Sequence, residues 1–217
     1  MRYYLYISDA KVDMLLAQID PAFGRRSTTE VGLSVKLFNV RRNVEAAPPD
    51  RTAKLERVLR HLEERGEIGS TDDPGPYFRG SLPMQWGPMQ GANGGSLVYF
   101  GGRSGQTILG LGGAGSHVLG SGGPQAQEFA PSSVPTLLAG LASAFADGGD
   151  GMPAESPAEQ SPLAWVHTAG RLLRGPRQPV EFVARRLLTG PSPYPELDAR
   201  PGMKVLLGSP LYVALAD

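Results

Sequence analysis

The chain has 217 residues, 41% of them hydrophobic, with 21 basic and 21 acidic side chains, enough for one domain with a substantial core or at most two small ones. A formal net charge of zero gives no long-range pull toward nucleic acid or an anionic membrane, so neither is expected as a partner. There is no cysteine, which removes disulfides, thiolate catalysis and Cys-type zinc or iron–sulfur sites.

Residues 2–8 are rich in aromatic and β-branched types and are predicted as a strand. Ser8 is placed to cap a helix from Asp9 whose apolar stripe is Val12, Leu15, Leu16 and Ile19. Residues 31–38 alternate apolar with polar, as a half-buried strand does. Asp50 can cap a helix reaching Arg65, with Leu55, Val58, Leu59 and Leu62 as its stripe. The charged face of that helix reads as solvated and laced by its own i,i+3 and i,i+4 pairs.

Prolines at 74, 76, 83 and 88 argue against a central strand over residues 69–91 and leave two short edge segments. Residues 97–100 and 107–111 read as strands joined by a tight connection through 101–105, and 117–119 as a further short strand. Ser133 heads a helix carrying Leu137, Leu138 and Leu141, and residues 147–161 form a linker without apolar periodicity. Ser161-Pro162 and Gln178-Pro179 each carry the cap-then-proline signature of a helix start, with stops at Gly175-Pro176 and Gly190-Pro191. Residues 204–207 and 211–215 close the chain as strand segments. The expected fold is a single α+β domain over residues 1–217, a mixed or mainly antiparallel sheet packed with about five helices. No apolar stretch approaches the roughly 18 residues of a membrane helix, so a cytoplasmic location is expected.

Residues 91–123 hold 13 glycines, and this block is the first candidate for a working surface. Gly110-Leu-Gly112-Gly-Ala-Gly115 matches the dinucleotide fingerprint in letters. The segment after Gly115 is too rich in glycine to supply the helix whose N-terminus would hold a pyrophosphate. Gly-Lys-Ser/Thr, the mark of a P-loop, does not occur. A looser anion cradle remains, in which Gly101, Gly102, Gly112 and Gly113 present backbone N–H groups, Arg103 adds a forked donor and His117 a further hydrogen bond. The alternative is that these glycines only let strands turn and pack closely. Trp86, held between prolines, either lines a pocket by stacking or closes the core.

His61, His117 and His167 lack any metal-site spacing, and no metal or cofactor is expected. His61 is expected to face solvent, and His167, beside Trp165 and Val166, to be a satisfied, partly buried residue. The Gly-x-Ser-x-Gly elbow of serine hydrolases is missing. Arg171, Arg174, Arg177, Arg185 and Arg186 against Glu181 read as a solvated basic face, with Glu181 and Arg185 an i,i+4 pair.

Several strings resemble an uncharacterised family of bacterial proteins: the opening Tyr-Leu-Tyr-Ile-Ser-Asp-Ala-Lys-Val-Asp-Met-Leu, Tyr77-Phe-x-Gly-x-Leu-Pro-Met-x-Trp-Gly-Pro88, Tyr99-Phe-Gly-Gly, Thr107-Ile-Leu-Gly-Leu-Gly-Gly, and Leu207-Gly-Ser-Pro-Leu-Tyr-Val-Ala. The resemblance spans most of the chain and implies no activity. The functional expectation is a non-catalytic binding or sensor domain for a small anionic, nucleotide-like ligand in a bacterial regulatory or defence setting. Its rivals are a hydrolase or transferase with an unfamiliar site around His117, and an interaction module that contacts a protein partner or a second copy of itself.

Overall fold

A computed structural model describes residues 2–21, 50–90, 96–120, 137–139, 141 and 161–216. The predicted strand over 31–38, residues 147–160 of the linker and most of the helix headed by Ser133 lie outside them. The chain divides into two compact units, Asp9–Gly66 and Met1–Ser8 with Glu67–Asp217.

The smaller unit contains helices α1 (Asp9–Ile19) and α2 (Arg51–Glu64), which pack together. Val12 and Leu16 of α1 and Leu55, Val58, Leu59 and Leu62 of α2 are buried, as their spacing predicts. Asp50 makes no side-chain cap bond to α2. The charged face of α2 departs from its prediction too. Arg51, Lys54 and Arg57 stand three apart along one side of α2 and bond to α1: Arg51 to Asp9, Lys54 to Asp13 at 2.9 Å, and Arg57 to Asp20 at 3.2 Å. The i,i+3 spacing that permits pairs within a helix also lines up one side of it for a neighbour.

The larger unit is a seven-stranded sheet: β1 (Tyr3–Ile7), β2 (Ile68–Ser70), β3 (Tyr77–Gln90), β4 (Ser96–Ser104), β5 (Thr107–Ala114), β6 (Gln178–Pro191) and β7 (Lys204–Leu215). Helix α3 (Pro162–Leu172) lies between β5 and β6 in sequence. Five of the strands close on themselves, each bonded to the next in the circuit β3-β4-β5-β7-β6-β3. Numbered within the barrel, the order is 1-2-3-5-4 and back to 1, with only the third and fifth strands parallel, the Greek-key closure of an OB-type barrel. β1 and β2 flank this circuit, antiparallel to the end of β7 and parallel to the start of β3. This overturns the expectation of a sheet packed with about five helices. The described residues hold three helices and part of a fourth, at residues 137–139 and 141, and strand dominates.

Two particular misreadings account for the difference. β3 is one 14-residue strand through Pro83 and Pro88, where proline content predicted two edge fragments. β6 pairs with β3 only as far as Met84, and β4 takes over from Met84 onward. Pro88 therefore lies where β3 has one partner, and Pro83 faces another proline, Pro179, so neither position asks proline for a ladder bond inside a two-sided stretch. β6 is likewise a strand where Gln178-Pro179 predicts a helix. Val180, Phe182 and Ala184 alternate into the barrel, a period of two that outweighs the proline signature. The expected Glu181–Arg185 pair disappears with the helix, and Glu181 instead forms an ion pair with Arg2 at 2.6 Å.

Phe78, Leu82, Met84, Phe100, Leu109, Leu111, Val180, Phe182 and Leu206 fill the barrel interior. A second cluster lies on the outer face of β4, β5 and β7, where Leu97, Tyr99, Ile108, Val205 and Leu207 pack under Val166, Ala169 and Leu173 from α3 and its end, together with Leu137 and Leu141. α3, with Leu137 and Leu141, thus covers the outer face of the second and third barrel strands.

Candidate functional site

The glycine block consists largely of β4 and β5. Gly101, Gly102, Gly112 and Gly113 sit in paired, extended strand. None has positive φ; among the described glycines only Gly66, Gly105, Gly120, Gly175 and Gly202 do. The alternation of backbone sign that aims successive N–H groups into an anion nest is therefore absent at these four. Each gives room to a neighbour instead. A Cβ on Gly102 would meet Leu82 and Met84 at 3.0 Å, one on Gly101 would meet Leu173 at 2.9 Å, and those on Gly112 and Gly113 would run into Leu137 and the Tyr6 hydroxyl.

Trp86 and His117 belong to one aromatic chain. The Trp86 ring stacks on Phe100 at 5.7 Å, Phe100 meets Tyr6 edge-on at 6.3 Å, and Tyr6 meets His117 edge-on at 5.9 Å. Trp86 Nε1 donates to Gln178 Oε1 at 2.9 Å. His117 ends the short 3-10 turn Gly115–His117 that follows β5, in place of the predicted strand. Arg103 pairs with Ile108 near the other end of β5, about 20 Å away along the strand at roughly 3.3 Å per residue. Arg103 and His117 do not converge on one ligand.

A different histidine feels the charge of Arg103. Arg103 lies on the outer face of β4, exposed, on the side that α3 covers. There α3 buries His167 to 3% exposure. The β6–β7 connection, residues 192–203, folds back toward it, closed at its base by Ser192 N–H donating to Met203 O at 2.9 Å and shaped by the 3-10 turn Pro195–Leu197. Asp198 leaves that turn with its carboxylate 1% exposed and Oδ1 3.7 Å from His167 Nε2, within ion-pair range and beyond a hydrogen bond. Ser192 Oγ donates to Asp198 Oδ1 at 2.9 Å, and the Tyr194 ring stands edge-on to the imidazole at 5.2 Å. Neither His167 Nε2 nor Asp198 Oδ2 has a hydrogen-bond partner among the described residues.

Burial pushes the His167 pKa down, the nearby charges of Arg103 and Arg171 push the same way, and Asp198 opposes them. The imidazole is therefore neutral near pH 7. Arg171 stands one helical turn beyond His167, and both arginines are exposed; among the described residues neither forms an ion pair. The hydroxyl of Ser192 is directed at the acid, not at the imidazole, so His167 is not placed to activate Ser192 as a nucleophile. The cluster is a buried imidazole–carboxylate pair with two exposed arginines, Arg103 and Arg171, whose charges act on it.

Sequence alone points to Arg103 and misses its setting. His167, expected to be satisfied and partly buried, is 3% exposed, with Asp198 Oδ1 3.7 Å from its Nε2 and no hydrogen bond to that nitrogen in range among the described residues. Ser192, Tyr194 and Asp198 lie in a proline-rich connection where no periodicity marks them.

The model of a family of unknown function (DUF7019) matches residues 2–217, and the chain belongs to that family. No curated protein and no solved structure matches it. Among the described residues no helix is long and apolar enough to cross a membrane, and no group of three or more His, Asp or Glu is placed to hold a metal.

Proposed function

For this member of a family without an assigned activity, we propose a binding domain for a small anionic molecule, seated where α3 meets the β6–β7 connection. Arg103 and Arg171 supply the attraction, and His167 and Asp198 supply the polar selectivity. The observation that carries this reading is the pair of unsatisfied atoms, His167 Nε2 and Asp198 Oδ2, on side chains 2% and 1% exposed. A buried polar atom left without a partner costs about 1–3 kcal/mol, and more when it is charged. Such an atom calls for a partner, and in this reading a ligand group supplies it. Fold-level analogy supports the same place, because OB-type barrels use the connection between their fourth and fifth strands to hold ligands, here residues 192–203. The other surface such barrels use, the outer face of the second and third strands, lies under α3, which argues against an oligonucleotide laid across it.

A thermal-shift screen of carboxylates, sulfate, phosphate monoesters and nucleotides tests the reading. A ligand at 100 times its Kd adds about 2.7 kcal/mol, a rise of roughly 5–10 °C for a chain of this size. The Arg103→Ala, Arg171→Ala double variant should keep its unliganded midpoint and lose that rise. A panel without any shift, or a shift that survives the double variant, removes the proposal.

A further inference from the structure

Resting on that reading, the geometry points to a narrower ligand class: we propose that the site takes a phosphorylated sugar, with the phosphate on Arg103 and Arg171 and one sugar hydroxyl bridging His167 Nε2 and Asp198. Each half follows from what the side chains can and cannot do.

An ionised carboxylate only accepts hydrogen bonds. Oδ1 of Asp198 already accepts from Ser192 Oγ, and Oδ2 has no donor among the described residues. An anion without a donor of its own would leave Oδ2 unpaired and add a like charge beside it. The ligand must therefore bring an O–H or N–H to Asp198 while presenting its negative charge elsewhere. A neutral imidazole nitrogen either donates or accepts. A hydroxyl oxygen, with one proton and two lone pairs, complements both neighbours at once: it donates to the carboxylate, and it accepts from Nε2 if that nitrogen carries the proton. Nε2 and Oδ1 are 3.7 Å apart, too far to bond directly, so the imidazole does not itself supply the donor that the carboxylate lacks. The guanidinium groups are fork-shaped donors suited to a phosphate.

A phosphate group and a hydroxyl on one small molecule describe a sugar phosphate, whether free or as the ribose phosphate of a nucleotide. The Tyr194 ring stands edge-on to the imidazole at 5.2 Å. His167 and Asp198 have almost no exposure, so a ligand reaches them only by moving part of the 192–203 connection.

The test is calorimetric titration of the full chain with ribose 5-phosphate, adenosine monophosphate and methyl phosphate, the last carrying the anion without a hydroxyl. The wild type should bind ribose 5-phosphate or the nucleotide about 10–100-fold more tightly than methyl phosphate, the range that one hydrogen bond to a charged group supplies. Asp198→Asn should erase that preference, whereas Arg103→Ala should weaken all three ligands alike. Tighter binding of the nucleotide than of the free sugar phosphate assigns the hydroxyl to a nucleotide ribose, and equal binding assigns it to the sugar alone; both fit the proposal. Equal affinity for methyl phosphate and ribose 5-phosphate overturns the hydroxyl bridge and leaves the anion site standing. Absence of binding by all three overturns the bridge as well. The panel of carboxylates and sulfate then decides separately whether any anion site exists. Should Asp198→Asn fail to fold, the wild-type comparison decides by itself.

Discussion

Gly110→Ala should destabilise the protein far more than one added methyl group suggests. Gly110 lies in the middle of β5, opposite Gly101 on β4 and Leu207 on β7. A Cβ there would fall on the Tyr99 hydroxyl and within 2.7 Å of the ring carbon that bears it, with Val166 Cγ1 at 3.0 Å. Tyr99 cannot easily step aside: it is 1% exposed, and its hydroxyl donates to Val166 O at 3.2 Å. Overpacking a filled core costs about 1–3 kcal/mol, and breaking this bond adds about 1 kcal/mol. The reduced freedom of the unfolded alanine chain returns about 0.4–1 kcal/mol. The net loss is about 1–3.5 kcal/mol, a fall of roughly 2–14 °C in Tm. Denaturant and thermal unfolding measure it, with two controls. A Cβ on Gly87 meets only Leu173 at an ordinary 3.8 Å, and one on Gly170 within α3 meets nothing within 4 Å. Gly87→Ala should be near neutral, and Gly170→Ala should stabilise by up to about 1 kcal/mol. A Gly110→Ala protein within about 0.5 kcal/mol of wild type, the scale of an ordinary surface change, would refute the view that these glycines are room for aromatic side chains.

His167 gives a pH signature whose sign is fixed by its burial. Its pKa is lowered in the folded state, so below the ordinary histidine value of about 6.5 the unfolded chain binds the extra proton first. Stability is then lost as pH falls from about 6.5 to the depressed folded value. His167→Gln should flatten that part of the stability–pH curve measured by urea unfolding, and an unchanged slope would contradict the buried neutral imidazole. Trp86→Phe keeps the stack on Phe100 and loses the bond to Gln178, for a cost of about 1 kcal/mol. Trp86→Ala loses both, for about 3 kcal/mol. Equal losses in the two variants, read by chemical denaturation, would remove the stacked aromatic chain from the core.

The elements that could be read from sequence were those whose local signals agree with one another. α1, α2, the start of α3, β1 and the β4–β5 hairpin follow from stripe, cap and alternation within one window. β3 and β6 do not, because what makes them strands is non-local. Pro83 and Pro88 are tolerated only through the change of partner from β6 to β4, and Pro179 through facing Pro83. Barrel closure depends on the same long-range pairs, and so does one continuous β7 through Gly208-Ser209-Pro210, which trades β5 for β1 along one side. The glycine block was conspicuous because glycine is rare in strand, and its cause was invisible because Tyr6, Tyr99 and Leu137 arrive from elsewhere in the chain. For the same reason Arg103 could be named from its flanking glycines, while the residues around it, His167 and Asp198, had to be found in space.

The chain has three histidines, His61, His117 and His167, so ring-nitrogen NMR reads the candidate site almost in isolation. Spectra of the wild type at pH 7, with and without ribose 5-phosphate, should show His167 neutral at the outset. On addition of the ligand its Nε2 resonance alone should shift, and it should fail to do so in Asp198→Asn. A spectrum in which His167 stays still while His117 moves would return the site to the other end of β5 and contradict a ligand held between α3 and the β6–β7 connection.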